Sequence, residues 1–332
     1  MTSIYAPLRE VLVVATGRGG DWQATERLDG HSLECVAVSP AEPKRIFVGT
    51  FESGLQRSLD AGDTWESVGE DVIEGAVMSA RVSPHDPDTV YVGTEPSAVY
   101  RSTDGGDSWT ALSPLTDLPS ADEWYFPPRP HTHHVRWIEV DPEDPDRLYV
   151  GIEAGAFVYS EDGGESWHER PSGSRFDNHS LAVHPDAPGQ VYAAAGDGYA
   201  ESRDGGRSWS HPQEGLNHRY CWSVAPDPGD PDTVVLSAAS GAYAAHNPSS
   251  AESYVYRRET GGPWERCGGD LDEGDGLVRA ELATVGEPGV VYAFSNHGIA
   301  RSGDMGRSWT TLSIPWKDRY ERMTPRGFAV VE

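Results

Sequence analysis

The sequence predicts an all-β fold, a seven-bladed β-propeller of four-stranded antiparallel blades. Three observations predict it. A Gly- and Trp-containing box recurs along the chain, short β-branched and aromatic runs alternate with Pro, Asp and Gly, and the partial units at the two ends complement each other. The chain has 332 residues, 37% of them hydrophobic, which suffices for a core. No apolar run approaches the roughly 18 residues of a membrane-spanning helix.

The box comes first because it sets the period. SLDAGDTW (58–65), STDGGDSW (102–109), SEDGGESW (160–167) and SRDGGRSW (202–209) share one pattern, and SGDMGRSW (302–309) is a fifth copy. RRETGGPW (257–264) is degenerate, and ATGRGGDW (15–22) keeps Gly and Trp without the Asp. The closing tryptophans, Trp22, Trp65, Trp109, Trp167, Trp209, Trp264 and Trp309, are spaced 43, 44, 58, 42, 55 and 45 residues apart. That is the period of propeller blades. In S-x-D-x-G-x-x-W the carboxylate accepts backbone N–H groups across a turn, the glycines supply positive φ, and the Trp wedges between neighbouring sheets. One residue type serving five of the seven turns is structural chemistry, not catalysis.

Ahead of each box lies an apolar strand such as RIFVGT, TVYVGT or RLYVGI, preceded by a proline-punctuated turn (SPAEPK, SPHDPD, DPEDPD) and an earlier strand (ECVAVSP, MSARVSP, RWIEVDP). The order within a unit is therefore strand A, turn, strand B, loop, strand C, box turn, strand D. Strand A is expected at roughly 33–39, 77–83, 135–141, 178–184, 221–227 and 278–284, and again at 326–332. Nothing follows that last copy, so its partners are expected from SIYAPL (3–8), VLVVA (11–15) and WQATERL (22–28). Residues 1–332 then form one propeller domain, with blade 7 shared by 1–30 and 324–332, and the ring has no open edge.

Charge narrows the function classes. Lys+Arg 26 against Asp+Glu 53 gives −27, which argues against nucleic-acid and anionic-membrane partners. Only Lys44 and Lys317 are lysines. An acid-rich, lysine-poor surface suits concentrated salt, as in proteins of halophilic microbes; a generic acidic surface with arginine favoured by GC-rich codon bias is the alternative. Cys35, Cys221 and Cys267 are too scattered for a disulfide framework or zinc knuckle, and residues 1–20 lack the blocks of a signal peptide. The expected location is cytoplasmic.

With box, strand order and closure in place, the chain resembles the Asp-box (BNR-repeat) propellers, a group containing sialidases, xyloglucan-active glycosidases, sortilin-like receptors and photosystem II assembly factors. The resemblance covers nearly the whole chain. It implies the fold and leaves enzyme, receptor and assembly factor open. In the enzymes of that group the box lies on the face opposite the active site. Sialidases resemble this chain in box spacing but have six blades, and no F-R-I-P segment occurs here.

The D–A and B–C loops share the other face, and strand A lines the axis. Aligning the A strands puts Glu34, Met78, Arg136, His179, Trp222, Arg279 and Arg326 at one equivalent position. Ser32, His133, His134, Asp177, Arg219 and Tyr220 come next toward the mouth, and the B-strand ends add Glu95, Glu153 and Asp197. Guanidinium groups cannot be buried unpartnered, so the three arginines face water, pair with acids or hold an anion. Two long insertions, the D–A loop 110–134 and the B–C loop 240–255, extend this face, and Trp124 is a candidate for stacking on a flat ligand.

Two functions fit. In the first, a glycosidase-like hydrolase or lyase acts on a small anionic or sugar-derived ligand. Glu34, Arg136, Asp177, Tyr220, Trp222, Arg279, Arg326 and Trp124 bind it, and Glu95, Glu153 or Asp197 work as acid and base beside His134 and His179. His133, His134 and His179 are also candidate ligands of a divalent metal on the axis. In the second, a non-catalytic assembly propeller uses loop 110–134 for a protein partner.

Overall fold

The computed structural model describes residues 1–268 and 276–332, and they form seven antiparallel blades in a ring. Blade 1 comprises Leu33–Ser39, Glu42–Thr50, Leu55–Ser58 and Glu66–Val68, and blade 2 Ala76–Val82, Val90–Glu95, Val99–Ser102 and Thr110–Ala111. Blade 3 contains His134–Val140, Leu148–Glu153 and Ala156–Ser160, and blade 4 Asn178–Val183, Val191–Ala195 and Gly198–Ser202. In these two the outermost strand is pared to one bridge, Tyr159 to His168 and Glu201 to Ser210. Blade 5 comprises Tyr220–Asp227, Asp230–Ala239, Ser253–Arg258 and Glu265–Arg266, and blade 6 Glu281–Thr284, Val291–Ser295, Gly298–Ser302 and Thr310–Thr311.

Blade 7 joins the chain ends. Ala329–Val331 pairs with Thr2–Leu8 in the register Tyr5 to Ala329, Ile4 to Val330 and Ser3 to Val331, and Val11–Arg18 and Asp21–Arg27 follow outward. Strand A is shorter than expected in blades 6 and 7, starting at Glu281 and Ala329, so Arg279 and Arg326 sit just ahead of their strands.

Seven apolar clusters occupy the seven junctions between blades among the described residues, and each contains one closing tryptophan. Trp109, for example, packs with Phe47 and Leu55 of blade 1 and Val90 and Val92 of its own blade 2. The box that carries it is a closed hydrogen-bond unit. Ser102 Oγ donates to Asp104 Oδ1 (2.8 Å) and accepts the Gly106 N–H (2.9 Å). Asp104 accepts the Ser108 N–H (2.8 Å) and hydroxyl (2.6 Å), and the indole N–H donates to the Gly106 carbonyl (3.1 Å). Hydrogen bonds from the Ser108 hydroxyl and N–H and from Ser102 hold the Asp104 carboxyl down at about 2. Gly105 and Gly106 take φ of 70° and 93°, as the turn requires.

The Val-Gly of strand B has a packing cause. A Cβ on Gly93 would lie 2.4 Å from both Ser79 Oγ and Val135 Cγ1, so glycine lets strand A of the next blade come in close. Opposite this position strand A carries a β-bulge. The extra residue is Glu34, Met78, Arg136, His179 or Trp222 in blades 1 to 5. A bulge re-aims its side chain, which is why these unlike residues occupy one equivalent place.

Candidate functional site

The A strands of successive blades lie against one another around the ring. Their first residues pair with the last residues of strand B, His134 with Glu153 and Ala76 with Glu95, which puts both sets of expected residues on one face. Most of them meet there.

Three arginines converge, and each has an acid. Arg136 Nε lies 3.7 Å from Glu153 Oε2, Arg326 Nη1 lies 3.2 Å from Glu34 Oε2, and Arg279 Nη1 donates to Glu281 Oε1 at 2.9 Å. Arg279 is fully buried, and its Nη2 and Arg326 Nε have no hydrogen-bond partner. Burial lowers the Arg279 guanidinium to about 9 against the pull of Glu281, with Arg326 and Arg136 pushing the same way as burial. Both Arg279 and Arg136 lie over the Trp222 ring, 3.5 and 5.0 Å from its centroid. The Trp222 indole N–H donates to Glu281 Oε1 at 2.8 Å.

The acids are ordered differently. Arg129 donates to both oxygens of Glu95, Nε to Oε1 at 2.7 Å and Nη2 to Oε2 at 2.5 Å. His134 lies between two carboxylates, its Nε2 3.0 Å from Glu153 Oε2 and its Nδ1 3.4 Å from Glu95 Oε2. Burial acts to raise the Glu153 carboxyl, but His134, His179 and Arg136 outweigh it and hold the group well below the usual carboxylate range. Asp177 Oδ1 accepts the Ala154 N–H at 3.0 Å. Burial pushes its carboxyl above the ordinary value against the pull of His179, and Glu153 adds to the push. Asp197 stands apart, exposed on the rim, where it accepts the Asp177 N–H at 3.3 Å and lies 3.6 Å from Arg175.

Two expectations change. Trp124 packs in the apolar cluster between blades 2 and 3, with its indole N–H on Ser120 Oγ, so its ring is committed to that core. The cause is Gly155, beside which the ring sits closely enough that a Cβ there would meet Trp124 Cγ at 3.1 Å. The three histidines do not converge either. His133 packs edge-on against Trp124, and His134 is engaged by Glu153. Among the described residues, the side chains gathered within 4.8 Å of one another with metal-ligand chemistry are Glu153, Asp177 and His179.

Sequence reasoning missed Arg129, Glu281 and His246. His246 ends the short helix Ala242–His246 in the blade 5 insertion and reaches inward. Burial, then Arg279 and His179, lower it to about 2, so the ring is neutral. Its Nδ1 accepts from Arg279 Nε (3.0 Å), so Nε2 carries the hydrogen and donates to the Tyr220 oxygen (3.0 Å). The Tyr220 hydroxyl hydrogen is thereby left for another acceptor. The signal was a histidine in an insertion already expected to wall this face.

No family model matches the chain, and no curated protein matches its sequence. Solved structures match its fold. An ancestral GH74 enzyme aligns with a TM-score of 0.64 at 15% identity over 99% of this chain, and the GH74 enzyme of Niastella koreensis with 0.66 at 17% over 83%. The chain spans 40% and 46% of those two proteins. YCF48 bound to D1 peptide aligns with 0.64 at 15% identity, over 96% of this chain and 99% of that one.

Proposed function

We propose that the protein binds a small anionic ligand at the axial face, held by Arg136, Arg279 and Arg326 with Trp222 and Tyr220 beside it. The observation that carries this reading is the convergence of three guanidinium groups from blades 3, 6 and 7, with Arg279 Nη2 buried and unpartnered. Each guanidinium already has a carboxylate, and the N–H donors those acids leave unused, Arg279 Nη2 and Arg326 Nε, fit carboxylate, sulfate or phosphate oxygens.

Recognition takes precedence over a glycosidase-type reaction. That chemistry needs one protonated and one free carboxyl flanking the bond to be broken. Glu95 is tied on both oxygens by Arg129 and Asp197 is on the rim, while the raised carboxyl Asp177 and the ionised Glu153 lie within 4.8 Å of each other around His179, closer than the roughly 5–5.5 Å of a retaining pair. The test is calorimetry with phosphate, sulfate, citrate and glucuronate on the parent and on the Arg136→Gln and Arg326→Gln variants. Each variant is expected to bind the best of these about 10- to 100-fold more weakly, the worth of one charge-assisted bond. Equal affinity in all three proteins overturns the reading.

A second reading has its own observation. Tyr125 and Tyr243 are 44% and 71% exposed, one on each insertion. YCF48, whose structure holds a D1 peptide, shares this fold end to end. A protein or peptide partner at loop 110–134 would respond to Asp117→Lys and Asp122→Lys, which leave the arginines untouched.

A further inference from the structure

Three side chains beside the arginine cluster each have one polar atom anchored and one left open toward the others. His179 is 1% exposed, and its Nδ1 lies 2.6 Å from the Cys221 carbonyl. A carbonyl can only accept, so Nδ1 carries the hydrogen, and Nε2 presents a lone pair whenever the ring is neutral. Nε2 is buried without a hydrogen-bond partner, and it faces Asp177 Oδ2 at 3.6 Å and Glu153 Oε1 at 3.9 Å. The other oxygens are already used: Asp177 Oδ1 by the Ala154 N–H and Glu153 Oε2 by His134. With the ring neutral, three electron-pair donors thus point at one another, an arrangement relieved by a proton on Nε2 or by a cation held between them.

We propose that Glu153, Asp177 and His179 bind a divalent first-row cation such as Zn²⁺ or Mn²⁺, leaving at least one coordination position for water or an anion. The donor set of one imidazole and two carboxylates suits such ions. Bonds of about 2.0–2.2 Å in a tetrahedral array put ligand atoms about 3.3–3.6 Å apart. The three atoms need to move together by only a few tenths of an ångström to about one. Each also has the outer-shell partner that metal ligands require: a backbone carbonyl on the imidazole, a backbone N–H on Asp177, an imidazole on Glu153. Asp177, its side chain 27% exposed, is the side of entry. Charge agrees. Glu34, Glu95, Glu153 and Glu281 are matched by Arg326, Arg129, Arg136 and Arg279, and Asp177 is the carboxylate of this cluster with no arginine. The site differs from the three-histidine set expected from sequence and does not depend on the anion reading, because it is tested with the metal alone.

The experiment is calorimetric titration of ZnCl₂ and MnCl₂ into untagged, chelator-stripped full-length protein, with the absorption spectrum of bound Co²⁺ as a second readout. One equivalent is expected to bind, with the Co²⁺ spectrum of a nitrogen- and oxygen-ligated ion. Asp177→Asn, which keeps the shape of the side chain, should weaken binding at least tenfold, and His179→Gln should abolish it. His134→Gln, which only positions Glu153, should cost less than Asp177→Asn and leave the Co²⁺ spectrum unchanged. Absence of stoichiometric binding by the parent, or equal binding by Asp177→Asn, overturns the proposal. Neither result bears on whether phosphate or sulfate binds the metal-free arginine cluster.

Discussion

Replacing Glu281 by alanine strips the counter-charge from the most deeply buried cation described in the protein. Arg279 is 0% and Glu281 2% exposed, and one carboxylate oxygen receives both Arg279 Nη1 at 2.9 Å and the Trp222 indole at 2.8 Å. Removing one partner of a buried ion pair costs about 3–5 kcal/mol, because the surviving charge stays desolvated. Glu281→Gln keeps an acceptor for both donors and loses only the charge, which points to a smaller cost of about 1.5–3 kcal/mol. The assay is urea unfolding followed by tryptophan fluorescence, at about 0.1 M and about 2 M NaCl. Salt screens exposed pairs far more than buried ones, so the deficit should persist at the higher concentration. An alanine variant within about 1 kcal/mol of the parent, the range of surface ion pairs, would refute the reasoning. So would a deficit that vanishes in concentrated salt.

Three further outcomes follow from the fold. Asp60 and Asp104 are both lowered from 3.8 to about 2, chiefly by the hydroxyl and N–H of the residue four positions on. A depressed folded value means this stability is complete above about pH 4 and lost as pH falls toward 2. Asp104→Asn should flatten that part of an acid-unfolding curve, and parallel curves would contradict it. Gly93→Ala puts a methyl 2.4 Å from Ser79 Oγ and Val135 Cγ1, so a loss of about 1–3 kcal/mol is expected, with a parent-like melting temperature as the contrary result. Given −27 net charge, thermal melting should rise as NaCl is raised toward molar levels, and a fall would count against adaptation to salt.

The ring was legible because each of its causes is local and repeated. Box, Pro-turn and Val-Gly strand recur, and the split blade follows from a final strand A with no successors. Strand A is shorter than the repeat pattern predicts in blades 6 and 7, where the chain ahead of Glu281 and Ala329 is held by isolated contacts: Arg279 N–H to the Ala245 carbonyl, Val278 and Ala280 N–H to the Asn296 and Ser237 side chains, and Arg326 N–H to the Pro7 carbonyl beside a lone Pro325–Leu8 bridge. The site was half legible. Alignment found the residues around the axis, because position along strand A is a sequence property. Their partners were not found, because Arg129, His246 and Glu281 reach in from a loop, a five-residue helix and a strand start. Trp124 went astray for the same reason, since whether an aromatic in an insertion faces solvent or core is decided by a glycine in another blade.

The bulge opposite the Val-Gly strand has a consequence for how such a molecule changes over time. At each of five places round the hub a side chain projects inward from a residue that takes no part in the ladder, so its identity is uncoupled from the pairing that supports the wall. Acid, thioether, guanidinium, imidazole and indole already occupy equivalent sockets. Exchanging one for another rewrites what the hub attracts while leaving the surrounding architecture in register, which makes these five places the natural targets for grafting a new specificity.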